Sequence, residues 1–72
     1  MLINWVIYDS PTDYPGAFVA RKFIIVPDAA IATPDLIVAA EIESMRDYFR
    51  GLGLVCVDRS EDDEPHIVEV WM

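Results

Sequence analysis

Thiol chemistry is almost absent from this 72-residue sequence, in which Cys56 is the single cysteine. One thiol closes no internal disulfide, which argues against a disulfide-stapled secreted miniprotein. Cys56 lies between Val55 and Val57 and reads as a small buried hydrophobe on a strand. Only Arg59 stands near it to favour a thiolate, so a catalytic cysteine is not expected. Basic residues are scarce as well: five Lys/Arg against 13 Asp/Glu leave a net charge of −8. Nucleic-acid binding rests on cations that displace counterions from phosphates, so this balance argues against a direct nucleic-acid partner. It argues equally against an anionic membrane surface. Long apolar runs are missing too. Phe23 to Val26 and Leu36 to Ala40 have strand length, against the roughly 18–20 residues of a membrane span. No basic n-region opens the sequence. The expectation is a cytoplasmic protein.

What the sequence does hold is apolar bulk. Hydrophobic residues make up 54% of the chain, high for a domain with little interior. Residues 1–72 are read as a single domain. Either its core is dense or a partner, including a second copy, covers some apolar surface. The acidity has two readings of its own. It favours a basic protein partner through complementary charge, and it also serves plain solubility.

Along the chain, Trp5-Val6-Ile7-Tyr8 is aromatic and β-branched, which suits a strand. Ser10 to Gly16, with two prolines and a glycine, forms an ordered loop. Ala17 to Val26 is the second strand, with Phe18, Ala20 and Lys22 on one face and Val19, Arg21 and Phe23 on the other. The first two strands can pair as a hairpin with a long loop. Ala29 to Asp35 reads as loop and Leu36 to Ala39 as a third strand. Ile42, Met45, Phe49 and Leu52 recur on one helical face. That helix starts near Glu41 and stops at Gly51 and Gly53. Leu54 to Asp58 and His66 to Trp71 read as the remaining strands. The expected fold is α+β: a small antiparallel sheet of four to five strands in the order β-β-(β)-α-β-β, with one helix packed on one face.

Four groups of residues invite a chemical reading. The run Glu61-Asp62-Asp63-Glu64, preceded by Asp58, is a solvated hairpin loop or a protein-facing acidic patch. It lacks the alternating ligands and turn glycine of a calcium loop, so no metal is expected. Asp9 and Asp13 flank a proline-rich turn, which is poor at separating two carboxyl pKa values for acid–base work. That loop is turn construction or a recognition loop with Tyr14 at its tip. His66 has no second ligand or nucleophile beside it. Arg21 and Lys22 point to opposite faces and cannot form a basic patch, although Arg21 can pair with a carboxylate on a neighbouring strand. Trp5 and Trp71 pack the core or, for Trp71, anchor an interface. The candidate partner-binding residues are therefore Asp9, Asp13, Tyr14, Asp58, Glu61, Asp62, Asp63, Glu64 and Trp71. No catalytic residue and no cofactor are expected.

The block from Trp5 to Arg21 (Trp5-Val6-Ile7-Tyr8-Asp9-Ser10-Pro11-Thr12-Asp13-Tyr14-Pro15-Gly16-Ala17-Phe18-Val19-Ala20-Arg21) resembles a family of short bacterial and phage proteins of unassigned function. The C-terminal Ile67-Val68-Glu69-Val70-Trp71-Met72 and the Arg46-bearing helix from Ile42 to Phe49 extend the resemblance over most of the chain. Because that family has no assigned activity, the resemblance implies no catalytic residue. In size and charge the chain is also similar in kind to small phage-encoded inhibitors, including anti-CRISPR proteins, some of which mimic DNA.

Three functional readings compete. The first is a non-enzymatic acidic protein-binding module, an inhibitor that occupies the basic surface of a nucleic-acid-handling protein. The second is a small structural or housekeeping domain acting as a homodimer, acidic only for solubility. The third is a minimal enzyme or metal protein, which would need Asp9, Asp13 and His66 to share a pocket. The sequence favours the first.

Overall fold

The computed structural model describes residues 2–57 and 67–72. Within them the elements run β1 (Leu2–Asp9), β2 (Phe18–Val26), β3 (Ala29–Ala39), α1 (Ile42–Gly51), β4 (Cys56–Val57) and β5 (Ile67–Trp71). The five strands form one sheet in the order β3-β2-β1-β5-β4, and every described pairing is antiparallel. The protein is α+β, as its alternation of β-branched runs with one 3.6-periodic segment predicts.

The first two strands form the expected hairpin, but β1 begins at Leu2, upstream of Trp5. The segment Ala29 to Asp35 corrects the sequence reading: it is strand and not loop, continuous with Leu36 to Ala39. Only Pro27 and Asp28 separate β2 from β3, and Val26 faces Ala29 across that tight turn. Pairing with β2 supplies what alanine's low strand preference does not. Pro34 is tolerated because β3 is an edge strand, where a missing N–H interrupts no ladder. The register slips between Arg21 and Phe23. There Thr33 Oγ1 donates to the Lys22 carbonyl and accepts from the Asp35 amide, which closes the bulge around Pro34.

Helix α1 has Glu41 as its N-cap in extended conformation. Past Leu52, Gly53 takes φ +82°, a left-handed conformation that glycine enters without steric penalty. Met45 and Phe49 are the buried residues of the helix. They pack on Trp5, Ile7, Ala20 and Trp71, with Phe18, Ile37, Ala39, Ile42 and Leu54 around them. Phe49 sits between the two tryptophans, with centroid separations of 5.5 Å to Trp5 and 5.8 Å to Trp71. Such tilted aromatic pairs contribute beyond their buried area. Leu52 departs from the expected helical face: it lies past the last helical residue and is 54% exposed.

Strand alternation sorts the sheet into two faces. Trp5, Ile7, Ala20, Ile37, Glu69 and Trp71 share the face under the helix, by register and by contact. The opposite face carries Val6, Val19, Phe23, Leu36, Val38 and Val70. No described helix lies over it.

Cys56 corrects a second expectation, because it is exposed. Among the described residues the fourth strand is Cys56–Val57, exposed at both positions, at the sheet edge beyond β5. Val55 continues the contact irregularly through paired backbone bonds with Met72.

Candidate partner-binding surface

The loop between β1 and β2 is held by its own short bonds. The Ser10 amide donates to the Ala17 carbonyl at 2.8 Å, and the Tyr14 amide donates to the Pro11 carbonyl at 2.9 Å, closing a turn at the prolines. Ser10 sits at φ +50°, unusual for a side-chain-bearing residue. Its hydroxyl donates to Asp9 Oδ1 and accepts from the Gly16 amide. Asp13 then reaches Arg21 at 2.5 Å. The carboxylate that pairs Arg21 thus belongs to the loop and not to a neighbouring strand. Arg21 shares its face with Val6, which it opposes in register, so this ion pair ties the loop toward the face away from the helix. Tyr14 is half-buried and Asp9 exposed.

The antiparallel register gathers acidic residues at one end of the sheet. Asp9 closes β1 there opposite Phe18, and Ala39 closes β3 opposite Phe18 on its other side. Glu41, the helix N-cap, follows at once. Strand β5 also starts at this end, with Ile67 facing Tyr8. The candidates Asp58, Glu61, Asp62, Asp63 and Glu64, together with His66, lie outside the described residues. Trp71 lies elsewhere: it is 3% exposed, opposite Trp5 and under the helix, because its ring fills the space between β5 and Phe49. That placement makes it a core residue and corrects its candidacy as an interface anchor.

A polar cluster that the sequence did not single out joins the helix to β5. Arg46 donates to both carboxylate oxygens of Glu69, through Nε at 3.1 and 3.0 Å and through a terminal nitrogen at 2.6 Å. It also pairs with Glu43 one helical turn back. The indole N–H of Trp71 donates to Glu69 at 3.1 Å. The Arg50 guanidinium lies 5.8 Å from the centroid of the Trp71 ring, within cation–π range. The Arg46 guanidinium, then the Trp71 N–H, hold Glu69 below the ordinary glutamate pKa against the opposing effect of burial. The same two carboxylates raise the Arg46 pKa. The visible trace of this cluster in the sequence is one glutamate inside the apolar run Ile67 to Trp71 and one arginine on the helix.

Each described cation is engaged within the chain. Arg21 pairs with Asp13, Lys22 with Asp35, Arg46 with Glu43 and Glu69, and Arg50 with Asp47. Asp28 and Glu41 are exposed and in no ion pair among the described residues. Among the described residues no cluster of three or more metal-ligating side chains occurs, and no helix is long and apolar enough to cross a membrane. No family model, no curated protein and no solved structure matches the chain.

Proposed function

We propose that this chain is a non-catalytic, acidic protein-binding module whose partner is a protein with a basic surface. The observation that carries the reading is the engagement of every described cation by a carboxylate of the same chain. A partner therefore meets the acidic surplus of a −8 chain with no described positive charge left to oppose it. Complementary charge of this kind speeds encounter and selects partners more than it adds raw affinity. The end of the sheet bearing Asp9, Asp13 and Glu41 is the proposed docking end, with Tyr14 as a contact in the braced loop; the sequence candidates Asp58 and Glu61 to Glu64 lie outside the described residues. In its finer form the proposal is an inhibitor that occupies the nucleic-acid-binding surface of its target, in a cytoplasmic setting. It includes the resemblance of residues 5–21 and 67–72 to short bacterial and phage proteins.

The test uses the intact chain as bait at low salt, followed by titration of the purified partner with and without duplex DNA. The expected partner is a basic nucleic-acid-handling protein. Its binding weakens when salt rises from about 0.05 M to about 0.5 M, and DNA competes for it. Recovery of only neutral or acidic partners, or binding indifferent to salt, would overturn the proposal.

A further inference from the structure

Topology gathers much of the exposed apolar bulk at one end of the sheet. Leu2 opens β1 there, opposite Ile25. Val26 closes β2, and Ile31 follows in β3 after the tight turn at Pro27 and Asp28. The helix ends at Gly51 with Leu52 as its C-cap, and the chain turns back into Val55. Val55 exchanges two backbone hydrogen bonds with Met72, one residue beyond Trp71, which opposes Trp5. Leu2, Val26, Ile31, Leu52, Val55 and Met72 are between 37% and 71% exposed. Single exposed apolar residues are ordinary, whereas a group of them marks a contact surface. We propose that this end of the molecule is the contact surface between two copies of the chain, which meet end to end about a two-fold axis.

Charge selects the second copy as the occupant. Asp9, Asp13, Glu41 and Glu43 stand at the opposite end, around the β1–β2 loop and the start of the helix. Among the described residues the carboxylate at the apolar end is Asp28, on the turn at the β3 corner, where water and salt screen it. Asp47, in the second half of the helix, is paired with Arg50. A basic protein is drawn to the acidic end and gains no charge complementarity here, and an anionic membrane is repelled by the net charge of −8. Two copies joined at their apolar ends point their acidic ends away from each other, which keeps self-repulsion low. The two-fold axis makes one patch serve both sides of the contact, as in other isologous dimers.

Composition and size agree. Homodimer interfaces are more apolar than ordinary surface. Six half-exposed side chains of this kind offer on the order of 100 Å² each, so each copy contributes about 600 Å², the lower bound of a specific interface. The dimer is accordingly weak, and the single chain prevails in dilute protein. The competing route, pairing along the β3 edge, is blunted by Pro34 and the adjoining bulge. The dimer does not depend on the basic-partner reading, since the two use opposite ends of the molecule and each acidic end stays open.

Sedimentation velocity of the intact chain from micromolar to millimolar concentration tests it. The wild type should approach twice the 8.2 kDa of one chain. Leu2→Lys and Val55→Lys place a charge in the contact and should each weaken dimerisation at least about tenfold, while circular dichroism stays native. Val38→Lys is the control: Val38 is 46% exposed but opposes Val19, toward the acidic end, so the dimer should persist. A wild type that stays monomeric throughout overturns the proposal. So does a dimer that survives both end variants, or one that Val38→Lys weakens equally. Should the variants fail to fold, methyl resonances of the wild type on dilution decide. Shifts should centre on Leu2, Ile31, Leu52, Val55 and Met72; shifts centred on Val38 would overturn the proposal.

Discussion

Glu69 is a carboxylate set among apolar strand residues, and Arg46 is what makes that position tolerable. Removing one partner of a half-buried pair leaves the other poorly solvated, so Arg46→Met should lower the Tm at pH 7. The pH dependence follows from the direction of the Glu69 shift. Its folded pKa lies below the ordinary value, so the stability it contributes is fully present above about pH 4.3, the unfolded glutamate value. That contribution is lost as pH falls through the folded pKa. The Tm gap between Arg46→Met and the parent should therefore narrow as melts are repeated from pH 7 down to about pH 3. A gap that stays constant would remove Glu69 as its cause. Asn4 gives the opposite prediction. Its Oδ1 is buried with no hydrogen-bond partner among the described residues, which costs about 1–3 kcal/mol. Asn4→Val should raise stability by about 1 kcal/mol, a Tm gain of roughly 4–8 °C in dilute protein. Residue by residue, the sequence favoured core or rim positions for Trp5 and Trp71 but left the interface alternative open for Trp71, which is 3% exposed. The deciding contact is with Phe49, two elements earlier in the chain, and no local pattern encodes it.

The helix was the element most legible in advance, because Met45 and Phe49 repeat at helical spacing and Gly53 ends the run. Met45 is 1% exposed. Met45→Ala should cost about 2–5 kcal/mol in chemical denaturation, whereas Leu52→Ala should change stability by about 0.5 kcal/mol. Equal losses at the two positions would mean that the helix docks on a different face. Gly53→Ala forces a side chain into the left-handed region and should cost about 1–2 kcal/mol by the same measurement. The first half of β3 was the least legible element. Alanine and Pro34 both argue against a strand when read alone; the edge position and the partner β2 make them acceptable. The short β4 misled in the other direction, since Leu54 and Val55 have strand character while, among the described residues, the ladder with β5 holds Cys56 and Val57. The acidic candidates divided in the same way: Asp9 and Asp13 were visible as turn chemistry, but the engagement of Asp13 by Arg21 depends on how the loop bends.

For the whole molecule the governing quantity is the excess of negative charge. Exposed ion pairs such as Arg50 with Asp47 contribute little each, and self-repulsion of a −8 chain opposes compaction. Raising ionic strength from about 0.01 M to about 0.15 M should therefore raise the Tm; a falling Tm would mean that the internal ion pairs outweigh the repulsion. Topology governs the order in which the fold is made. Strand β5 comes last of the strands in the chain yet lies between β1 and β4, opposite Trp5. During synthesis β1, β2 and β3 leave the ribosome as a three-stranded meander, and α1 follows onto a floor that still lacks Trp71. Until β5 emerges, one long edge of β1 keeps its backbone groups unpaired and Phe49 lacks the Trp71 ring. A nascent chain stalled before Ile67 would expose a sticky sheet edge beside an unfinished core, the kind of species that chaperones hold and proteases clear.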